Sequence, residues 1–213
     1  MPTTEAYKIR TKKKNLFLRV IKGHFATSHS HINYYIDVTA QKSRLTEAQA
    51  VAGELVSYYN TSTVVDTILC LDGMEVIATC LAQELTKGNF VNLNSHQTIY
   101  VVTPEFSNSQ LLFRDNIVPM IQGKHVLVLA VSVSSGATVN AAIDAVKYYG
   151  GEVAGIASIF TTKTHIGTFE VNSVFNVSDL EGYFAVPAHE CPLCAKGEKL
   201  DALVNYHGYS KLR

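Results

Sequence analysis

The chain has 213 residues, 47% of them apolar and 17% charged, enough to bury the core of one generous domain or of one domain with an accessory lobe. Lys and Arg number 18, as do Asp and Glu, so no net field draws the protein to nucleic acid or to a membrane surface. Its first residues have no apolar core, and no uncharged apolar run nears the roughly 18 residues of a membrane span, so neither a secretory signal nor a transmembrane helix is predicted. Four cysteines in a chain this long do not make a disulfide scaffold, and Cys70 and Cys80 sit in apolar segments as buried thiols. A reduced, cytoplasmic setting is the expectation.

The one basic cluster is Lys8, Arg10, Lys12, Lys13 and Lys14, expected as a solvated face rather than an anion-binding arm. Residues 15–23 put Leu16, Phe17 and Val20 on one side with Gly23 as a stop, which predicts a short helix. Residues 24–38 are strand-like and crowded by His24, His29 and His31. Alternation puts His29 and His31 on one face. With no acidic residue close by, a polar wall or exposed edge is expected there, not a metal site. Residues 46–59 space Ala48, Val51, Ala52, Leu55 and Tyr59 as a helix, with Thr46 as its N-cap.

A regular alternation follows. Residues 63–71 predict a buried strand, Asp72-Gly73 a turn, and residues 74–88 a helix stopped by Gly88. Strands are predicted at 98–102, 125–131 and 152–160, with a helix from Asn140 to a Gly150-Gly151 stop. Apolar strands alternating with helices imply an α/β fold with a doubly wound, mostly parallel sheet. Residues 103–124 are too long for an ordinary crossover turn and carry no strong period. Such loops at carboxyl ends of strands serve as mobile lids. After residue 161 the pattern weakens, and the tail reads as peripheral cover.

Two segments carry candidate chemistry. Residues 126–131 run into Ser134, Ser135, Gly136, Ala137 and Thr138, ahead of a helix. A helix N-terminus offers free N–H groups to an anion, the hydroxyls add donors, and the small residues permit close approach. The same composition also suits a structural turn whose serines cap the helix. The second segment is His189-x-Cys191-x-x-Cys194, three potential zinc ligands with His207 as a possible fourth. No second paired cluster accompanies it, so reduced, unliganded thiols are expected.

Residues 123–160, "GKHVLVLAVSVSSGATVNAAIDAVKYYGGEVAGIASIF", resemble the phosphoribosyl-diphosphate segment of type I phosphoribosyltransferases, and of orotate phosphoribosyltransferase in particular. "KGHFATSHSHINYYIDV" is similar to that family's N-terminal segment, with Tyr34 and Tyr35 on its paired aromatic positions. "LCLDGMEVIATCLAQEL" is similar to its diphosphate loop, and "HECPLCAKGEKL" to the cysteine-containing tail of some members. The resemblance implies one domain over 1–213, with a core of about 45–161 and a hood from about 1–44 and 162–213. It also implies a homodimer.

Family chemistry implies a phosphate loop, two acidic residues on the ribose hydroxyls, magnesium on the diphosphate and a lid lysine, all arranged around a developing oxocarbenium ion. Ser134, Ser135, Gly136, Ala137 and Thr138 fall on the phosphate loop. Ala130 and Val131 fall on the acidic pair and can accept nothing through their side chains. Asp72, Gly73, Met74 and Glu75 replace a small glycine-rich turn, adding bulk and negative charge. His29 and Ser30 stand where a glycine and a basic residue are expected. Residues 104–116 of the lid stretch, "PEFSNSQLLFRDN", have Arg114 as their only cation and no lysine. The expectation is a phosphate- or nucleotide-binding or regulatory homodimer with transfer lost or severely weakened; the alternative is an active orotate phosphoribosyltransferase with substituted contacts. No cofactor is required, and magnesium only if transfer persists.

Overall fold

In the computed structural model the described residues are 6–10, 16–87, 92–94, 98–107 and 110–212. Lys12, Lys13, Lys14 and Gly88 lie outside them. The chain divides into two compact units, residues 41–176 and residues 1–40 with 177–213. No helix among the described residues is long and apolar enough to cross a membrane.

The first unit is built on the sheet order His165–Ile166, Phe169–Asn176, Glu152–Thr161, His125–Val133, Thr67–Cys70, Tyr100–Val102. The five longer neighbours pair in parallel, and only His165–Ile166 is antiparallel to its partner. Every residue of Thr67–Cys70 is buried, and so are the six from Val126 to Val131. An unbroken apolar run therefore reads as a strand covered on both faces. On one face Leu69, Val126, Val128 and Ile156 pack with Val139, Ile143 and Val146 of the helix Ala137–Tyr148. On the other, a Cβ at Gly155 would come within 2.9 Å of the Tyr59 ring and 3.6 Å of Leu127. The Tyr59 hydroxyl donates to the Ile156 carbonyl at 2.9 Å and accepts from Asn172 Nδ2 at 3.1 Å. Burial, the largest influence, raises its pKa.

The helix expected at 46–59 runs Leu45–Leu55 and continues as a 3-10 turn, Val56–Tyr58. It buries Ala48, Val51, Ala52 and Leu55, the face that the spacing predicts. Thr46 is not its cap. Arg44 stands there in extended conformation, and its carbonyl accepts from Glu47 and Ala48 N–H. The boundary is set by this backbone geometry rather than by a hydroxyl. The helix Ala137–Tyr148 stops at glycine as expected, with Gly150 at φ 78° and Gly151 N–H on the Val146 carbonyl. Beyond residue 161 the weak pattern conceals the parallel strand Phe169–Asn176, which mixes buried, half-exposed and exposed residues because it lies near the sheet edge.

The second unit is a mainly antiparallel sheet in the order Ala185–Val186, His31–Asp37, Phe17–Ala26, Ala202–Asn205, Gly208–Lys211, with Ala6–Arg10 also along Phe17–Ala26. Ile21, Phe25, Tyr35, Ala202 and Val204 form its core cluster. The helix predicted at 15–23 is thus a strand. Leu18 and Val20 are buried while Phe17 is exposed and Arg19 half-exposed, a period of two that three apolar positions could not separate from helical spacing. Gly23 is not a helix stop: it sits where the register shifts between Lys22 and Phe25, and a Cβ there would lie 2.6 Å from Asp201 Oδ2. Of the basic cluster, Lys8 is exposed with its ammonium 5.5 Å from the centre of the Phe17 ring.

Candidate functional site

From Cys70 the chain goes to Tyr100–Val102 on one side of Thr67–Cys70, then returns to His125–Val133 on the other. The strand order therefore reverses between Thr67–Cys70 and His125–Val133. In an open parallel sheet the crevice at such a reversal, beyond the carboxyl ends, is where ligands bind. Two loops leave from those ends, residues 71–74 and 134–136.

In the second loop, Gly136 has φ 84° and precedes the helix Ala137–Tyr148, with its carbonyl accepting from Asn140 N–H at 2.8 Å. A Cβ on Gly136 would lie 2.5 Å from Ile166 Cδ1, so glycine is demanded by backbone and space alike. Ser135, Ala137 and Thr138 are exposed and Ser134 is half-buried. Ser135 Oγ accepts from Ala137 N–H at a long 3.3 Å, a weak cap. The loop is anchored from behind, with the Val133 carbonyl taking the Thr162 N–H at 2.9 Å. Its solvent side presents hydroxyls and the positive end of a three-turn helix.

Ala130 and Val131 are buried, Ala130 at 1% exposure within the core cluster. A magnesium ion requires oxygen ligands, and this pair supplies none through its side chains. The position that the resemblance assigns to the ribose does not fit that ion.

In the first loop Asp72 takes a left-handed conformation (φ 58°), as does Gly73 (φ 76°). Met74 is fully buried, so its bulk goes into the core and does not crowd the loop's open side as the sequence suggests. Glu75 is exposed at the start of the helix Glu75–Thr86, where the helix dipole favours a carboxylate, and accepts from Thr103 Oγ1 at 3.2 Å. Sequence reasoning missed Lys42. Its ammonium donates to the Asp72 carbonyl at 2.9 Å and would lie 3.5 Å from a Gly73 Cβ. Burial lowers its pKa, opposed by the charges of Asp72 and Glu75. No local pattern around residue 42 announces it, because the partner loop lies thirty residues on.

The lid stretch is not structureless. Glu105–Ser107 and Gln110–Leu112 pair as an antiparallel hairpin, with Leu111 and Phe113 buried. Arg114 is bound by Glu105 through Nε and Nη2, each at 2.7 Å. The one cation of residues 104–116 is therefore already paired with a carboxylate.

The histidines and tail cysteines meet within the second unit, in a combination that local spacing does not suggest. His24, His31, Cys191 and Cys194 bring one ligand atom each to within 4.8 Å of one another. His29 is exposed in the turn between the two strands, His189 is exposed and lies 3.3 Å from Glu190, and exposed His207 packs on Tyr206. None of these three joins the cluster. His24 shares a face with Ala26, and Ala26 pairs with His31 across the ladder, which puts the two imidazoles side by side. Tyr34 donates to the Glu181 carbonyl at 3.1 Å, and Tyr35 packs in the core cluster with Phe25.

No family model matches the chain. No curated protein matches it either. Solved structures do. Orotate phosphoribosyltransferase from Mycobacterium tuberculosis H37Rv, in complex with inorganic phosphate, aligns at TM-score 0.50 and 19% identity over 76% of this chain and 90% of that one. UMP synthase from Leishmania donovani aligns at TM-score 0.53 and 19% identity over 76% of this chain and 34% of its own. Adenine phosphoribosyltransferase from the same organism aligns at 0.51 and 15% identity, covering 75% and 78%. With a parallel sheet whose order reverses beside a glycine-containing strand-to-helix loop, this chain has the type I phosphoribosyltransferase fold.

Proposed function

We propose that the chain is an orotate phosphoribosyltransferase-like protein that binds a phosphate-bearing small molecule at Ser134, Ser135, Gly136, Ala137 and Thr138, works as a homodimer, and has lost or severely weakened phosphoribosyl transfer. The observation that carries the reading is the contrast between two adjacent stretches. The loop keeps exposed hydroxyls and a helix N-terminus, while the ribose position beside it is the buried apolar pair Ala130 and Val131. Each charge-assisted hydrogen bond missing from a bound sugar forfeits about 1.5–3 kcal/mol. Loss of one donor that stabilises a transition state costs about 10²–10³ in rate. An orotate phosphoribosyltransferase of the same fold was solved in complex with inorganic phosphate, which supports phosphate as the class of ligand.

Lys42 favours the second reading, an active transferase with substituted contacts, because it sets a cation against the Asp72-Gly73 loop. The deciding experiment is a binding and turnover assay with phosphoribosyl diphosphate, magnesium and orotate. The first reading expects affinity for phosphoribosyl diphosphate barely above that for inorganic phosphate, and no turnover. Orotate-dependent turnover of about one per second would establish the second. Light scattering at micromolar concentration tests the dimer, and a monomeric mass removes that part.

A further inference from the structure

We propose that His24, His31, Cys191 and Cys194 hold one zinc ion as a closed structural site. The sequence alone points the other way, because the ligands near Cys191 in the chain, His189 and His207, are not the ones the fold brings to it. His24 Nε2 and His31 Nδ1 are 3.1 Å apart. Cys191 Sγ lies 3.4 Å from His24 Nε2, and Cys194 Sγ lies 3.6 Å from that nitrogen and 3.3 Å from His31 Nδ1. Tetrahedral zinc, with bonds of about 2.0 Å to nitrogen and about 2.3 Å to sulfur, has N···N edges of about 3.3 Å and N···S edges of about 3.5 Å. Four of the six edges are already close to those of that tetrahedron, and all six ligand-atom separations lie within 4.8 Å.

The surroundings orient the ligands. His24 Nδ1 lies 3.0 Å from the Glu198 carbonyl oxygen, which can only accept. The proton is therefore on Nδ1, and the Nε2 lone pair faces the cluster, the arrangement by which outer partners fix a ligating imidazole. Both ends of the His24 peptide are held by Asp201: its carboxylate accepts the His24 N–H and its own N–H donates to the His24 carbonyl, each at 2.8 Å. Charge is consistent as well. Zinc displaces one proton from each thiol to solvent, and two thiolates, two neutral imidazoles and Zn²⁺ sum to zero. A neutral site can sit beside His24 and Cys191, each 2% exposed, without an uncompensated buried charge.

Four protein ligands leave no open position for a substrate, so the role is structural. The site ties the hairpin formed by Phe17–Ala26 and His31–Asp37 to the short helix Pro192–Ala195. This unit has a small core cluster of Ile21, Phe25, Tyr35, Ala202 and Val204, the situation in which small β units depend on a staple.

The test uses the full chain, purified without chelator and analysed for metals. About one zinc per chain is expected, with a fall in melting temperature on chelation that added zinc reverses. Cobalt exchanged into the wild-type protein should show tetrahedral d–d absorption and a thiolate-to-cobalt charge-transfer band. Cys194→Ser, at the exposed ligand, should lose most of the zinc and weaken that band. His29→Ala and Cys80→Ser should change neither. The proposal is overturned by wild-type protein that stays metal-free after expression with added zinc, by a different stoichiometric metal, or by Cys194→Ser that retains full zinc. The cobalt spectrum of the wild type keeps the test decisive should a histidine variant fail to fold.

Discussion

Gly136→Ala puts the geometry of the proposed phosphate loop to the test. At φ 84° an alanine incurs the left-handed penalty of about 1–2 kcal/mol, whatever surrounds it. The new methyl also lies 2.5 Å from Ile166 Cδ1, too close for any real contact. Cδ1 is the far end of a flexible side chain, so the clash is relieved by an off-rotamer shift at about 0.5–1.5 kcal/mol. The substitution should therefore destabilise by about 1.5–3.5 kcal/mol, a large share of the stability of an ordinary domain. Urea denaturation of Gly136→Ala, Ile166→Val and the double variant separates the two contributions. Ile166→Val alone should cost about 0.5–1.5 kcal/mol for the lost methyl. In that background the glycine substitution should cost only the backbone penalty, so the pair should couple by about 0.5–1.5 kcal/mol. A neutral Gly136→Ala would refute the backbone argument, and strict additivity would refute the clash. Inorganic phosphate binding, followed by calorimetry on the same variants, should weaken with Gly136→Ala and not with Ile166→Val.

Tyr59→Phe should destabilise by about 1–2 kcal/mol in urea, because it strips a partner from the Ile156 carbonyl and from Asn172; an unchanged midpoint would contradict it. Asp66 accepts from His125 N–H and Nδ1, each at 2.8 Å, and although burial works to raise its pKa these bonds bring it below the ordinary carboxylate value of about 3.9. Its contribution is then fully present above about pH 4 and lost as pH falls through the depressed value, so the stability gap between wild type and Asp66→Ala should narrow on acidification, and a gap constant down to about pH 3 would remove the linkage. Burial first, and the charge of Glu75 second, push the Cys70 thiol up to about 12, so mass spectrometry after iodoacetamide should find Cys70 unmodified in native protein and labelled in urea. Ala130→Asp with Val131→Asp should leave transfer unrestored in the orotate assay, since Arg114 is engaged by Glu105 and the segment 103–123 has no lysine; measurable turnover in that variant would show the clamp to be the only defect.

The parallel core was legible because burial on both faces leaves a direct trace in composition. Residues 126–131 have no polar member at all, and a helix with its glycine stop follows. The second unit was not legible in the same way. Leu16, Phe17 and Val20 fit a helix and a strand equally over so short a span, and what decides for the strand is pairing with His31–Asp37 and Ala202–Asn205, one of them far along the chain. Phe169–Asn176 was missed for a related reason. With Glu170 exposed and Asn172 and Ser173 half-exposed, it lacks the unbroken apolar signature of the strands nearer the centre.

The same division governs the candidate sites. The candidate phosphate loop, residues 134–138, is contiguous, so its residue types can be read from five neighbouring letters, whereas the left-handed Gly136 and the helix start at Ala137 are seen in the fold. Sites assembled from distant segments leave no such record. Lys42 meets Asp72 only after the chain has folded. Cys191 and Cys194 are conspicuous as a pair, but their partners lie on a hairpin more than one hundred and sixty residues earlier, selected by a register that pairs Ala26 with His31. That register depends on the shift at Gly23, where a side chain would strike Asp201 Oδ2, the same carboxylate that holds the His24 N–H. A glycine that looked like a helix stop thus belongs to the support of the four-residue cluster. Its meaning is set by Asp201, at the opposite end of the sequence.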